Sequence, residues 1–340
     1  MQLVDQISVQ INSELTKKRV KLPIRSRSIV ATPHSVLFAV RRCNIAIRCR
    51  SSGPRQSPDF LMEFNLDTGR LIVFMVGIVM FLTVESFWAA RPQHDARWHR
   101  LGFHVGVAAL NTIIVRVFAY VPFLLWSVYV EEKGWGLSRW LGLHGWTEIL
   151  VSLFVLDGFD YFWHRANHRV RVLWRFHKAH HADREMDLTT SLRFHPGELL
   201  LSALVKALWI GVWGPSVIAW FIFEALVSLC AQFHHSNIDF PDPLERWLSL
   251  LVVTPRYHAA HHAVDRRWGD ANFATIFSFW DRLFLSYEHP PAAGAVRLGL
   301  PVARELAFSP LAWLGEPFSR RNLHLSGRDS IAPREQDGTP

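Results

Sequence analysis

Four apolar stretches constrain what this chain can fold into. Leu71–Ala90 is a 20-residue run interrupted only by Glu85 near its end. At 1.5 Å per residue it reaches about 30 Å, the hydrocarbon thickness of a bilayer. Leu101–Val130 is long enough for one tilted span with a break near Pro122, and it carries Asn111 and Arg116, which are expected to face the bundle interior. Trp146–Trp163 is a third run, with Asp157 and Asp160 toward its end. Leu199–Gln232, broken by Gly214-Pro215, reads as a hairpin of two helices or a re-entrant pair. Half of the residues are hydrophobic, and many of the 15 tryptophans flank these runs, as interfacial aromatics do. The expected fold class is all-α: an integral membrane helical bundle carrying a cytoplasmic histidine-rich helical cap.

The net charge of +8 belongs to one end of the chain. Residues 1–61 hold 11 Lys/Arg against 3 Asp/Glu, and the remainder sums to zero, so the body offers no basic nucleic-acid face. The Ser- and Arg-rich extension, with Arg41, Arg42, Arg48, Arg50 and Arg55, reads either as an organellar transit segment or as sequence upstream of a start at Met62; the second is preferred. Its Val36–Val40 run is too short to span. The expected organisation is a basic extension over 1–61, transmembrane helices over 62–145, a histidine-box domain over 146–288 and an irregular tail over 289–340. Arginines in the Arg91–Arg100 loop predict that this loop, and with it the histidine clusters, faces the cytoplasm. Phe273–Ser286 is expected to form an amphipathic or interfacial helix near the site. Of three cysteines only Cys230 lies in the body, so the body has no intrachain disulfide and no Cys-x-x-Cys motif.

Eleven of 18 histidines fall between residues 164 and 262. They form His164-Arg-Ala-Asn-His168, His177-Lys-Ala-His180-His181 and His258-Ala-Ala-His261-His262, with His195 in Arg193-Phe-His-Pro-Gly-Glu198 and His234 and His235 in Phe233-His-His-Ser-Asn237. Residues i, i+3 and i+4 share a helix face, so each cluster can aim several imidazoles at one point. Neutral imidazole suits iron, zinc, copper and nickel. One ion takes three or four protein ligands, so this many candidates is too many for one ion and enough for two. Adjacent histidines diverge by about 100° around a helix, so one of each tandem pair is expected to face away from the other's metal. His234 is expected to neighbour the site without ligating. His34, His94, His99, His104, His144, His289 and His324 lack this spacing and are read as interfacial, solvated or structural. Apolar helices beside a surface histidine site suit a lipid substrate. The spacing alone leaves open zinc-dependent hydrolysis and O2 activation at a dinuclear iron site.

The run Asp160-Tyr-Phe-Trp-His-Arg-Ala-Asn-His168, the two His-x-x-His-His boxes, Arg193-Phe-His-Pro-Gly-Glu198, Phe233-His-His-Ser-Asn-Ile238, Asp270-Ala-Asn272 and Trp280-Asp-Arg282 together resemble the fatty acid hydroxylase / sterol desaturase superfamily. The resemblance runs from about Trp146 to Tyr287 and leans toward the sterol-desaturase-like and alkylglycerol-monooxygenase-like branches. It implies a membrane-bound, non-haem di-iron, O2-dependent oxidoreductase that hydroxylates or desaturates a sterol, fatty acyl or alkyl lipid. Carried onto this chain, the implied catalytic ligands are His164, His168, His177, His180, His181, His235, His258, His261 and His262. His195 is a further candidate to hold or support the metal. One departure is Ala231, where some members pair a histidine with the one four residues on. Metal-bound imidazoles usually donate their second N–H to a carboxylate or carbonyl, and Asp157, Asp160, Glu198, Asn237, Asp270 and Asn272 are the candidates. Arg193 is placed to pair with Glu198 or to meet a lipid phosphate. No dinucleotide fingerprint appears, so electrons are expected from a separate cytochrome b5-like or ferredoxin-type donor. The competing readings are a zinc-dependent membrane lipid hydrolase and a metal transporter or sensor; the histidines lie outside the apolar runs, which argues against transport.

Overall fold

The computed structural model describes residues 58–93, 97–300 and 308–318, with side chains from Leu66 onward. The basic extension up to residue 57 lies outside the described residues, together with Cys43, Cys49, His34, His94, His324 and residues 319–340. The described residues are helical and contain no strand, only two isolated bridges.

Helix α1 (Pro58–Phe87) opens on a proline, which fits the first helical turn, where its missing N–H costs nothing. Met62 lies inside this helix. Leu71, Ile72, Met75, Val76, Val79 and Met80 point outward, while Phe81 and Glu85 are buried. Helix α2 (Arg97–Val115) buries Arg100, Phe103, His104, Val107 and Asn111, a single stripe at helical spacing. A π-helical turn over Arg116–Tyr120 leads into α3 (Val121–Glu132). Pro122 has no N–H and its ring crowds the carbonyl one turn back; the wider turn just before it relieves that conflict, so the chain stays helical where a break was expected. The expectation that Arg116 faces the interior is corrected: it is half exposed and pairs with Asp67 at 2.6 Å.

A short α4 (Leu137–Trp140) leads to α5 (Gly145–Arg169), then α6 (Arg171–His181), α7 (Pro196–Trp213) and α8 (Val217–His235). The Gly214-Pro215 break is a hairpin. Gly214 caps α7 in the left-handed conformation (φ 71°), and Ser216 caps α8 by accepting from the Ala219 N–H. A Cβ on Gly214 would stand 1.9 Å from the Trp135 carbonyl oxygen, so the α3–α4 turn seats directly on this hairpin.

Four segments are long and apolar enough to cross a membrane: Leu66–Phe87, Arg97–Trp140, Pro196–Trp213 and Val217–His235. Helix α5, expected as a span, is not among them. It carries Glu148, Asp157 and Asp160, all turned inward, behind an outward face of Trp146, Leu150, Phe154 and Phe162. Its first turn meets the α7–α8 hairpin, where Glu148 accepts from the Ser216 N–H and hydroxyl. Its last turns carry His164 and His168. It therefore runs the length of the hairpin with its acids shielded by protein.

The end of α1, the starts of α2 and α7 and the end of α8 gather on the histidine side. Ala90 N–H donates to Asn237 O, and Arg100 forms a two-bond pair with Asp183 at 2.7 and 3.0 Å. Helix α9 (Asp242–Leu251) follows on that side and exposes Leu244, Trp247, Leu250 and Leu251 along one face, as an interfacial helix does. The helix expected over Phe273–Ser286 is instead a loop with one short helix, α12 (Phe279–Leu283), preceded by α10 (Pro255–His261) and α11 (Arg266–Gly269). The tail is not irregular throughout. In it α13 (Pro310–Gly315) packs Trp313 against Phe103, and Glu316 pairs with Lys178 at 3.0 Å.

Candidate metal centre

The boxes on α5, α6 and α10 meet the last turn of α8. Nine histidines fall into two groups whose nitrogen donors all lie within 4.8 Å of one another: His164, His168, His177, His181 and His261 in one, His180, His235, His258 and His262 in the other. The tandem pairs divide as their 100° divergence requires. From α6, His177 and His181 enter the five-histidine group and His180 the four-histidine group. From α10 the assignment is reversed, with His258 and His262 in the smaller group and His261 in the larger. Each helix thus gives an i, i+4 pair to one group and its i+3 residue to the other. The two groups adjoin, with the His181 and His262 rings stacked at 4.2 Å.

Backbone and carboxylate acceptors fix four of the rings. His164, His261 and His235 each place Nδ1 2.7 Å from a carbonyl oxygen, of Phe273, Ala271 and Ala231 respectively. His177 places Nδ1 2.8 Å from Glu198 Oε1. These acceptors cannot donate, so each Nδ1 carries the proton and each Nε2 presents a lone pair. The Nε2 atoms converge at 3.0–3.2 Å in the pairs His168–His181, His177–His181, His180–His235, His235–His258 and His258–His262. Donors bonded to one ion at about 2.0–2.1 Å stand about 3 Å apart. Buried lone pairs facing each other at this distance repel unless a cation lies between them. The His261 Nε2 is buried without a hydrogen-bond partner among the described residues. Burial, and then the neighbouring imidazoles, hold His164, His168, His180, His181, His258 and His262 well below the usual histidine value. Burial brings His261 down to about 3. These rings are therefore neutral at physiological pH, the form that ligates.

Of the six residues expected to receive an imidazole N–H, only Glu198 does so. Asp157 accepts from the Ile276 and Phe277 N–H groups and from Trp280 Nε1. Asp160 hydrogen-bonds Thr275 and lines a cavity shared with Lys206. Asn237 bonds the Arg91 backbone, and Asp270 pairs with Arg169 at 3.2 Å. Asn272 bonds the Glu288 backbone and adopts φ 59°, a conformation that asparagine tolerates. His195 joins neither group: its Nδ1 accepts from the Gly197 N–H to cap α7. Arg193 does not meet Glu198; its Nε donates to Ala179 O and its guanidinium lies over Phe103. The His234 ring packs at a tilt against His258, with centroids 4.0 Å apart, outside both groups. His104 is structural, bonded to Thr189 at 2.6 Å.

The residue that sequence reasoning missed is Asp281. It accepts from Phe273 N–H, Ala274 N–H, the Tyr257 hydroxyl and Ser286. With Asn272 it shapes the loop whose carbonyls hold His164 and His261. Asp183, two residues beyond His181, ties α6 to α2. Burial works against its ionisation, but Arg100, His104 and Arg193 together outweigh burial and hold the carboxyl well below the usual carboxylate range.

A cavity of about 320 Å³ touches both groups, through His164 and His177 of one and His180, His235 and His258 of the other. From there it passes between α1, α5, α7 and α8 toward Asp160, Lys206 and Glu224.

Residues 149–286 match the family model described as fatty acid hydroxylase. Among curated proteins, the chain is similar to an ornithine lipid hydroxylase of Rhizobium tropici, 26% identical over 175 residues that cover 51% of each chain. It is 34% identical over 225 residues to an alkylglycerol monooxygenase of Xenopus tropicalis, covering 63% of this chain and 45% of the relative. It is 26% identical over 244 residues to human lathosterol oxidase, covering 69% and 77%. The chain thus spans about half the length of the first two relatives. No solved structure matches it.

Proposed function

We propose, from the match of residues 149–286 to the fatty acid hydroxylase model, that the protein belongs to that family and is a membrane oxidoreductase that uses two non-haem iron ions and O2 to hydroxylate or desaturate a lipid. The observation that carries this reading is the pair of adjoining all-histidine groups opening on one cavity between membrane-length helices. His164, His168, His177, His181 and His261 would hold one iron, and His180, His235, His258 and His262 the other. Bound iron supplies the O2 reduction and C–H cleavage that no side chain performs.

This chain's residues supply geometry and dryness. The carbonyls of Phe273, Ala271 and Ala231 and the Glu198 carboxylate keep four rings in one tautomer and orientation. Trp174 packs at 5.0 Å on His168 and 5.5 Å on His181, and Phe194 stacks at 4.3 Å on His180, so water is kept from the outer faces. The smaller group has Ala231, not a fifth imidazole, on its cavity side, which leaves room there for a reacting molecule. Hydroxylation converts C–H and O2, with two electrons and two protons, into C–OH and water. The electrons come from a separate cytochrome b5-like or ferredoxin-type protein. The histidine side faces the cytoplasm in this reading, supported by Arg91 and Arg100 on that side.

A zinc-dependent lipid hydrolase would need a carboxylate poised as general base over the metal. Both donor groups consist of imidazoles alone, with no carboxylate among the donors. The test is incubation of the purified, iron-loaded full chain with host lipid extract, a reducing system and ¹⁸O2. Incorporation of ¹⁸O into a lipid, or loss of two hydrogens without label, is the expected result. Lipid hydrolysis that proceeds without O2 would overturn the proposal.

A further inference from the structure

Beyond the histidines the cavity runs into a set of charges inside the bundle. Lys206 lies near the middle of α7 and donates to Glu224, near the middle of α8, at 2.6 Å. Arg70 of α1 stands 3.7 Å from the other oxygen of Glu224. Asp160, one turn before His164 on α5, lines the same cavity as Lys206 and hydrogen-bonds Thr275. All four line the cavity. Ionisable groups at membrane depth are costly to bury, and where they border a cavity they mark the path of a polar ligand. A second observation points the same way. Asn167 Oδ1 and Glu198 Oε2 are buried, have no hydrogen-bond partner among the described residues and belong to residues that line this cavity. Leaving buried acceptors unpaired is costly, so they call for a donor from a ligand or water.

We propose that Asp160, Lys206, Glu224 and Arg70, with Asn167 and Glu198, form a subsite for the polar group of the lipid, and that this group is uncharged and bears hydroxyl or N–H donors. The inference rests on the oxidoreductase reading and deepens it. Lys206 and Arg70 are both already engaged by Glu224, and Asp160 and Glu198 add further carboxyl groups to the lining. A carboxylate or phosphate entering the subsite would meet Asp160, Glu224 and Glu198. A bare hydrocarbon would leave the acceptors unpaired. A hydroxyl or N–H group satisfies them. Asp160 sits one turn from His164, so the carbon presented to the histidine groups is close to the polar group and not at the far end of the chain. The lipid therefore enters with its polar group inside the bundle.

The test uses the full chain in detergent, loaded with metal and incubated with equal amounts of 1-O-hexadecylglycerol, hexadecanoic acid and hexadecane. Native mass spectrometry reads bound lipid and bound metal on the same molecules. One hexadecylglycerol per chain is expected, at ten or more times the occupancy of either competitor. The double variant K206M/E224Q, which removes both charges of the pair, should lower that occupancy about tenfold while the metal count stays unchanged. Preferred retention of hexadecanoic acid, equal retention of hexadecane, or undiminished hexadecylglycerol binding in a folded double variant would each overturn the subsite. The wild-type selectivity needs no variant to fold. Lipid selectivity without metal would sink the oxidoreductase reading and leave the subsite standing; metal binding without selectivity would do the reverse.

Discussion

Replacing Asp281 by asparagine would show whether the loop behind the histidines is held by one carboxylate. Its Oδ1 accepts from Phe273 N–H at 2.8 Å and Ser286 Oγ at 2.6 Å, and its Oδ2 from Ala274 N–H and the Tyr257 hydroxyl, both at 2.7 Å. An amide of the same shape keeps one acceptor oxygen and turns an NH2 toward the other two donors. The Tyr257 hydroxyl can rotate to accept. The buried backbone N–H cannot, and an orphaned group of that kind costs about 1–3 kcal/mol. Loss of charge on the two surviving bonds adds about 1–2 kcal/mol, because bonds to charged groups exceed neutral ones by that much together. The sum, roughly 2–5 kcal/mol, should lower the melting temperature of the detergent-solubilised protein by about 5–15 °C. The loop also carries the carbonyls that orient His164 and His261, so the five-histidine group should lose about 10–100-fold in metal affinity while the four-histidine group changes little. Melting followed by circular dichroism and metal retention against a graded chelator read the two effects. An unchanged melting temperature together with unchanged affinity at both groups would refute the reasoning.

Glu198→Gln removes the charge behind His177 alone, so it should weaken the five-histidine group by roughly 10–100-fold and leave the other intact, read by the same chelator series. His235→Ala takes one of four donors from the smaller group; a fall from two bound metal ions to one, with loss of lipid oxidation, is expected in metal analysis and turnover. Arg100→Met strands Asp183 and Asp187 without their buried cation, and such losses cost about 3–5 kcal/mol. The variant should melt well below the wild type, and a companion R100M/D183N change should recover part of the loss.

Local periodicity explains which parts of this molecule can be read from its sequence. The i, i+3, i+4 spacing in α6 and α10 already puts three imidazoles of each box in reach of a common site, and the tandem pairs already imply two directions. Which helix feeds which group is a tertiary fact: it depends on how α6 and α10 cross, and no spacing within one box encodes it. Most acceptors behind the rings were illegible for a different reason. Ala271, Phe273 and Ala231 act through backbone carbonyls, which every residue has. Side-chain chemistry therefore drew attention to Asp157, Asp160, Asp270 and Asn237, which hold loops, cavity and surface instead. Asn272 and Asp281 do serve the site, but through the shape of a loop, by a left-handed backbone and four accepted hydrogen bonds. A usable signal for α9 was present in Leu244, Trp247, Leu250 and Leu251, an apolar stripe at helical spacing. The apolar runs coincide with the four segments long and apolar enough to cross a membrane, counting the hairpin as two. They also marked α5, whose inward acids set it apart from helices that face lipid more fully.

The most direct test of the central claim is the number and nature of metal ions held by the purified full chain. Reconstitution with ⁵⁷Fe, followed by metal analysis and Mössbauer spectroscopy on one sample, should give two irons per chain in nitrogen-rich, magnetically coupled sites. His235→Ala should reduce the count to one and abolish the coupling. A wild-type protein that binds a single ion, or two ions that remain when the nine histidines are replaced in turn, would contradict the two-group account.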